Sequence, residues 1–264
     1  MAIKAGLAEV TLVGDPEEIK KSCEAEGVDI NQYTIIPESE DVKAVEIAVK
    51  AVHNGEYDVL MKGVVPTDKY MRGILNKEAG LFPPKGVLSH VAVLEIPGFE
   101  KLLSISDIAV IPAPDFKQKQ KLISYLASTA KVLGVETPKI GCVAPSEQVL
   151  PASVSSIEGA MLAKMADRGQ IKGCIVDGPL ALDVAIDQES VEIKGLVSPV
   201  AGDADCLLFP NIESGNVFYK VNSKLVPGVR QAGILVGAKV PCVLSSRADS
   251  IDTKLNSIAI AAMF

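Results

Sequence analysis

A short polar segment near the carboxyl end of the chain contains residues that could bind a phosphate and act as general bases. Ser246 and Arg247 are followed by Asp249 and Asp252, and an apolar helical pattern begins directly after them. An arginine can bind a phosphate through two parallel hydrogen bonds, a serine hydroxyl can donate another, and amides at a helix start favour an anion. The two aspartates are either general bases or residues that a helix N-terminus favours. The segment therefore predicts a phosphate clamp.

Three further polar turns follow short apolar runs of the kind that form buried strands. They lie at 62–63, 177–179 and 211–216, and their candidate substrate-binding residues are Lys62, Asp177, Asn211, Gly215 and Asn216. Ligands of open α/β sheets bind beyond the carboxyl ends of the strands. We therefore expect these turns and the Ser-Arg segment to contribute to one site.

Four other residues complete the set of candidate substrate-binding residues: Arg72, Ser89, His90 and Lys239. Lys62 and Arg72 are the cations nearest the end of a strand at 58–61, and the alternative is that both are solvated surface charges. His90 lies in a β-rich run at 87–96, where a histidine is more often a core residue than a catalyst. Lys239 lies in a short connection between two buried strands.

The elements that must position these residues alternate between apolar runs and amphipathic patterns. Strands are predicted at 8–13, 33–36 and 58–61, with helices between them, and this alternation favours a parallel sheet covered by helices. Further strands at 102–106 and 108–111 suggest an antiparallel part. Two prolines at 112–115 exclude helix there and predict a hinge between two domains.

Composition limits the function classes. The chain has 264 residues, is 48% hydrophobic and carries a formal net charge of −7, which argues against a general nucleic-acid binder. No apolar run reaches the roughly 18–20 residues of a membrane span and no signal peptide opens the chain, so we expect a cytoplasmic protein that is not membrane-bound. Five cysteines without metal-ligand spacing are expected to be buried thiols in a reducing cytosol. Neither glycine-rich nucleotide signature is present. A divalent-metal cluster at Asp177, Asp183, Asp203 and Asp205 stays open, but their spacing does not require one and no metal is expected.

Several segments are recognisable as those of a known family. The chain resembles the phosphate acetyl/butyryltransferase family, most closely its butyryl-transferring members, at 171–183, 198–220, 233–240 and 245–255, with weaker support at 60–63 and 88–93. The resemblance implies two α/β domains with the active site in the cleft between them, as in the isocitrate/isopropylmalate dehydrogenases. It places one domain at 1–113 plus 237–264 and the other at 114–236.

The resemblance also implies the reaction and the partners. Family members convert acyl-CoA and inorganic phosphate to acyl phosphate and CoA, with coenzyme A as a substrate and no further cofactor. They are typically homodimers or larger homo-oligomers. We expect a short-chain acyl group, butyryl or branched, and a direct transfer without a covalent enzyme intermediate.

Residue roles carry over from the family only in part. Ser246 and Arg247 match a Ser-Arg pair that is implicated in transition-state stabilisation and substrate binding, and Arg72 falls near a second substrate-binding arginine. The catalytic aspartate of the relatives falls on Thr253, so that Asp252 and Asp249 are both candidates for the base. The chain looks amino-terminally short, and its loops at 112–116 and 145–151 differ from the family loops beside the cleft.

Three alternative functions stay open at this point. The first is a phosphate acetyltransferase, since acetyl-transferring members share the motifs. The second is a catalytically impaired relative that binds CoA without turnover. The third is a metal- and nicotinamide-dependent dehydrogenase of the same architecture. The acyl chain and the physiological direction of the reaction are not specified by the residues.

Overall fold

A computed structural model describes residues 1–245 and 249–264, and these ranges form an α/β fold. The strands are β1 (Thr11–Gly14), β2 (Thr34–Pro37), β3 (Leu60–Met61), β4 (Ser89–Glu95), β5 (Leu102–Ser106), β6 (Lys139–Val143), β7 (Ile175–Leu180), β8 (Cys206–Leu208), β9 (Arg230–Val236) and β10 (Cys242–Val243). The helices are α1 (Pro16–Ala25), α2 (Asp41–His53), α3 (Thr67–Ile74), α4 (Phe116–Val132), α5 (Val154–Asp167), α6 (Leu182–Ile186), α7 (Gln188–Lys194), α8 (Ile212–Leu225) and α9 (Ile251–Ala261). None of the helices in the described ranges combines the length and the apolar character needed to cross a membrane.

The chain divides into two compact units, 1–86 with 237–264 and 87–236. Residues 87–113 lie in the second unit, whereas the sequence predicts that the first domain extends to 113. Pairing explains the difference, because β4 pairs with β9 and β5 pairs with β8, and both partner strands belong to the second unit. In the structure, the return to the first unit falls between 236 and 237.

The first unit contains two parallel strand pairs, β1 with β2 and β3 with β10. Asp15 caps α1 by accepting hydrogen bonds from the backbone N–H groups of Glu17 and Glu18, as the sequence predicts. The buried Tyr70 hydroxyl on α3 donates to the carbonyls of Leu60 at 3.0 Å and Val243 at 3.3 Å. This side chain therefore connects β3 to β10 close to the ends of both strands.

The second unit contains a mixed sheet in the order β9-β4-β5-β8-β6-β7. Strand β4 is antiparallel to both of its neighbours, while β5, β8, β6 and β7 run parallel to one another. Leu94, Leu103, Ile105 and Leu207 are fully buried in its core. Burying one such side chain contributes about 1.5–3 kcal/mol, so aliphatic residues stabilise this sheet with few aromatics. The α/β class and the antiparallel part of the sheet are confirmed.

Two local predictions are wrong. Residues 108–110 form bends and no strand forms at 108–111. The cause is the Asp107 carboxylate, which accepts from the N–H groups of Ala109 at 2.7 Å and Val110 at 2.8 Å and holds the chain in a tight turn. The segment around Asp177 is part of β7 and not a turn after it. Pro179 is tolerated in that strand because β7, within the described residues, pairs with β6 alone and leaves its other edge unpaired.

Candidate active site

The carboxyl ends of β5, β8 and β6 meet at one edge of the sheet in the second unit. Strand β4 is antiparallel to β5, so its amino end, with Ser89 and His90, lies at this same edge. Asn211 follows β8 there and begins α8. The structure therefore places Ser89, His90, Asn211, Gly215 and Asn216 around one edge, which is where a doubly wound sheet binds ligands.

Asp107, directly after β5, is a buried carboxylate that contacts Ser89 and His90. The Ser89 hydroxyl donates to its Oδ2 at 2.7 Å, and the His90 backbone N–H donates to the same oxygen at 3.2 Å. The Ser89 hydroxyl also lies 2.9 Å from that of Ser106. Since Asp107 is only 1% exposed, its charge depends on these donors in place of water.

Sequence reasoning missed Asp107, although a usable signal was present. The residue follows the predicted strand at 102–106 and so satisfies the strand-end rule that selected the other candidates. The incorrect strand at 108–111 concealed it, because a continuous β region leaves no polar turn at this position.

Helix α8 begins against the turn that Asp107 holds. The Nδ2 of Asn216 donates to the Ile108 carbonyl at 2.8 Å. A Cβ atom at Gly215 would lie 2.3 Å from the Asp107 carbonyl oxygen, so only glycine permits this approach. Asn211 caps the helix and accepts from the Ser214 N–H at 3.0 Å. All three predicted residues thus have contacts that fix the start of α8, and their roles as substrate ligands stay predictions.

His90 is 5% exposed, as expected for a core histidine. Its ring lies against Gly233 of β9, where a Cβ atom would come within 2.5 Å of the ring carbon Cε1. Glycine at this position therefore provides the space for the imidazole. The contact explains how the ring is placed and leaves a substrate-binding role as a prediction.

A groove of about 610 Å³ opens at the same sheet edge, and all of its lining residues belong to the second unit. Its apolar lining residues are Ala113, Pro114, Val143, Ala144, Pro145, Val154 and Pro210. Its polar lining residues are Lys119, Ser155, Glu158, Asn211 and Ser214. Ala113, Pro114 and Pro145 come from the loops at 112–116 and 145–151. Lys119 of α4 and Glu158 of α5 form an ion pair there, with side chains 7% and 19% exposed.

In the first unit, Lys62 is buried and not a solvated surface charge. Its residue exposure is 6%, and its Nζ donates to the carbonyls of Gly63 at 3.1 Å and Val65 at 3.0 Å. Arg72 has a side chain 81% exposed, with Asp68 at 4.0 Å, in agreement with the surface alternative. The two cations, for which the sequence makes the same prediction, thus differ in exposure: Lys62 is buried and Arg72 is exposed.

Lys239 is exposed, and its side chain lies over a histidine of α2. Its Nζ is 3.3 Å from both ring nitrogens of His53, and its backbone N–H donates to the Leu81 carbonyl at 2.8 Å. Asp177, inside β7, accepts from the N–H of Gly178 at 2.8 Å. Neither residue belongs to the cluster around Asp107.

Ser246 and Arg247 lie outside the described residues. After them, Ser250 caps α9 and accepts from the Thr253 N–H at 3.1 Å. Asp252 is exposed in the first turn of that helix, and Asp249 is half-buried just before it. A carboxylate in a first helical turn is stabilised by the helix dipole, so the position of Asp252 fits both predicted roles.

The cysteines have the features of packing residues. All five are free; Cys23, Cys142, Cys206 and Cys242 are buried, and Cys174 is half-buried. Burial raises the pKa of Cys142 and that of Cys242 to about 12. Because a thiolate is the reactive form, these two thiols stay protonated and unreactive near neutral pH.

The fold and the site define an α/β protein whose sheet edge combines an apolar groove with buried polar residues. Open α/β sheets bind ligands at such an edge, and an apolar groove with a few polar groups suits a ligand with an apolar portion. Over the described residues, no cluster of three or more acidic, histidine or cysteine side chains is placed to hold a metal ion.

Comparisons with known proteins agree with this class. The family described as phosphate acetyl/butaryl transferase matches residues 38–262. A phosphate butyryltransferase of Clostridium acetobutylicum is 45% identical over 99% of this chain and 86% of its own length. A phosphate acetyltransferase of Thermotoga maritima is 42% identical over 98% of this chain and 87% of its own length. A branched-chain phosphotransacylase of Enterococcus faecalis V583 superposes with a TM-score of 0.82 at 28% identity, covering 96% of this chain and 97% of that structure.

The chain therefore belongs to the phosphate acetyl/butyryl transferase family. The resemblance noted in the sequence is confirmed, and with it the class of enzyme, a phosphate acyltransferase.

Proposed function

We propose that this protein exchanges CoA and phosphate on a short-chain acyl group, with butyryl-CoA or a branched acyl-CoA as the substrate. The observation that carries the proposal is the 45% identity with a phosphate butyryltransferase over 99% of the chain. The reaction converts acyl-CoA and inorganic phosphate to acyl phosphate and CoA. Membership of a transferase family favours this reaction over the dehydrogenase alternative.

The proposed mechanism is a direct transfer in a ternary complex. In the direction of acyl-CoA synthesis, Asp252 or Asp249 takes the proton of the CoA thiol. The thiolate attacks the carbonyl carbon of acyl phosphate, the new C–S bond forms, and the bond from the carbonyl carbon to the phosphate oxygen breaks. Ser246 donates to the developing oxyanion and Arg247 binds phosphate. The raised pKa values of Cys142 and Cys242 support a route without either cysteine as nucleophile.

The groove in the second unit supports the proposal because it offers an apolar surface beside polar groups. We propose that it receives an apolar part of the acyl-CoA. Its proline, alanine and valine side chains suit an alkyl chain, while Asn211, Ser155 and Ser214 provide hydrogen-bonding groups at its border. Lys62, Arg72, Asp177 and Lys239 stay candidate substrate ligands in this proposal.

A phosphate acetyltransferase is the second candidate. The 42% identity with the Thermotoga maritima enzyme favours it, because this value is close to the identity with the butyryltransferase. The two candidates share the reaction and differ only in the acyl group.

The proposal includes four further features. We expect CoA to act as a substrate without an additional cofactor, and we expect a homodimer or larger homo-oligomer. We also expect a two-domain architecture like that of the isocitrate/isopropylmalate dehydrogenases. The fourth feature is a cytoplasmic location, which the free cysteines support.

A phosphate-dependent CoA-release assay tests the function. Purified protein is mixed with butyryl-CoA, and the free thiol is measured with and without inorganic phosphate. We expect thiol release only when phosphate is present, together with acyl phosphate detected as its hydroxamate. Release that does not need phosphate would indicate a thioesterase, and no release from any short-chain acyl-CoA would contradict the proposal. Binding of CoA without turnover would indicate the impaired relative.

A further inference from the structure

A buried aspartate at the sheet edge of the second unit, together with the turn that follows it, contacts four residues that the sequence predicts to bind substrate. Asp107 contacts Ser89 and the backbone of His90 on one side. On the other side, Gly215 packs against its carbonyl oxygen, and Asn216 donates to the carbonyl of the following residue, Ile108. The sequence motifs that predict the site do not include Asp107.

The two carboxylate oxygens of Asp107 have different partners. Oδ1 accepts from the N–H groups of Ala109 at 2.7 Å and Val110 at 2.8 Å, which closes the turn after β5. Oδ2 accepts from Ser89 and from the His90 N–H, which attaches that turn to the start of β4. One charged side chain therefore joins a turn, a strand and, through the turn carbonyls, the first turns of α8.

We propose that Asp107 is a positioning residue of the acyl-transfer site, which it serves by holding the start of α8 and the start of β4 in one fixed geometry. The inference rests on the proposed function, since the residues it positions are the candidate substrate ligands of that reaction. Asp107 is 1% exposed, so it acts through these neighbours and not by touching substrate. Small displacements of binding groups reduce turnover strongly, on the order of 10²-fold for about 1 Å.

Asp107→Asn is the sharpest test because it keeps the shape and Oδ1 while replacing the acceptor Oδ2 with an N–H₂ group. This group faces the His90 N–H, donor against donor, so the bond to the backbone of β4 is lost, and the Ser89 hydroxyl can stay bonded only by accepting in place of donating. Asp205→Asn is the matched control. Asp205 is also buried, at 6% exposure, and accepts from the Lys139 N–H at 2.8 Å and the Lys101 Nζ at 3.0 Å. It lies directly before β8, at the opposite edge of the sheet.

We expect Asp107→Asn to lower kcat/KM for acyl-CoA by roughly 10- to 100-fold in folded protein, within the range of a positioning effect. Asp205→Asn should leave kcat/KM near the wild-type value even if its melting temperature falls. Hydrogen exchange should speed up at 108–111 and 211–216 in Asp107→Asn and stay unchanged there in Asp205→Asn. Wild-type kinetic constants for folded Asp107→Asn, or equal exchange at these segments in both variants, would overturn the proposal.

Two further experiments cover the cases in which the Asp107→Asn variant does not fold or the wild-type protein is inactive. If Asp107→Asn does not fold, Asn216→Ala breaks the same attachment from the helix side, and faster exchange at 108–111 is expected; unchanged exchange there would overturn the proposal. If the wild-type protein shows no phosphate-dependent CoA release, the proposed function fails by itself. The exchange comparison then still decides whether Asp107 holds these segments in place.

Discussion

At the scale of single residues, the residue type and its position along a strand predicted which polar side chains lie at the sheet edge. The hydrogen bonds and ion pairs of each side chain could not be predicted. Lys62 and Arg72 show this limit. Both are cations near the end of β3, yet one is buried with carbonyl partners and the other is exposed. Tertiary packing causes this difference in exposure. The sequence gives both residues the same charge and places both near the end of one strand, so it cannot distinguish them.

Arg247 carries the prediction at this scale. If its guanidinium binds phosphate, Arg247→Ala should lower turnover at least about 10²-fold, the typical cost of removing one donor to developing charge. Arg247→Lys should not restore activity, because lysine keeps the charge and loses the planar fork. The measurement is steady-state CoA release by variants whose far-UV circular dichroism and melting temperature match the wild type.

The control for this prediction is Arg230→Lys. Arg230 is exposed on β9 and pairs with Glu95 at 3.0 Å, so we expect almost no kinetic effect there. Near-wild-type kinetics for both Arg247 variants would place the phosphate site elsewhere on the molecule.

At the scale of elements, strand and helix patterns predicted most of the sheet, and the exceptions have local causes. The Asp107 side chain turned an apolar stretch into bends, and an unpaired strand edge allowed a proline inside β7. Both causes depend on a side-chain contact or on strand order, and neither is visible in hydrophobic periodicity. The division at residue 86 was missed for the same reason, because it follows from which strands pair.

The ion pair between α4 and α5 carries the prediction at this scale. Lys119 and Glu158 are 7% and 19% exposed, and removing one partner of a buried pair leaves the other charge uncompensated. We expect Lys119→Met to lower the free energy of unfolding by about 3 kcal/mol. The double variant Lys119→Met with Glu158→Leu should recover much of that loss. Urea unfolding followed by circular dichroism measures both values.

An exposed pair on the same helix provides the control. Lys164 and Asp167 of α5 lie 2.7 Å apart with side chains 64% and 60% exposed, so Lys164→Met should change stability by less than about 1 kcal/mol. Equal effects of Lys119→Met and Lys164→Met would show that the buried ion pair does not stabilise the fold.

At the scale of the whole molecule, the comparisons identify the family and leave the acyl group open between two substrates. Identities of 45% and 42% with a butyryltransferase and an acetyltransferase are too similar to decide between them. The groove of about 610 Å³ is the proposed site of the acyl chain. Under that proposal, the side chains that line the groove determine the substrate preference.

We predict that four- and five-carbon acyl-CoAs are better substrates than acetyl-CoA. An apolar groove gains contact with each added methylene, and one methylene is worth only about 1–3 kcal/mol, so the preference should be graded. The measurement is kcat/KM for phosphate-dependent CoA release from acetyl-, propionyl-, butyryl- and isovaleryl-CoA. Reactions without phosphate provide the blank for each substrate. A rise from acetyl to butyryl supports the butyryl assignment, whereas acetyl-CoA as the best substrate would refute it and leave the family assignment intact.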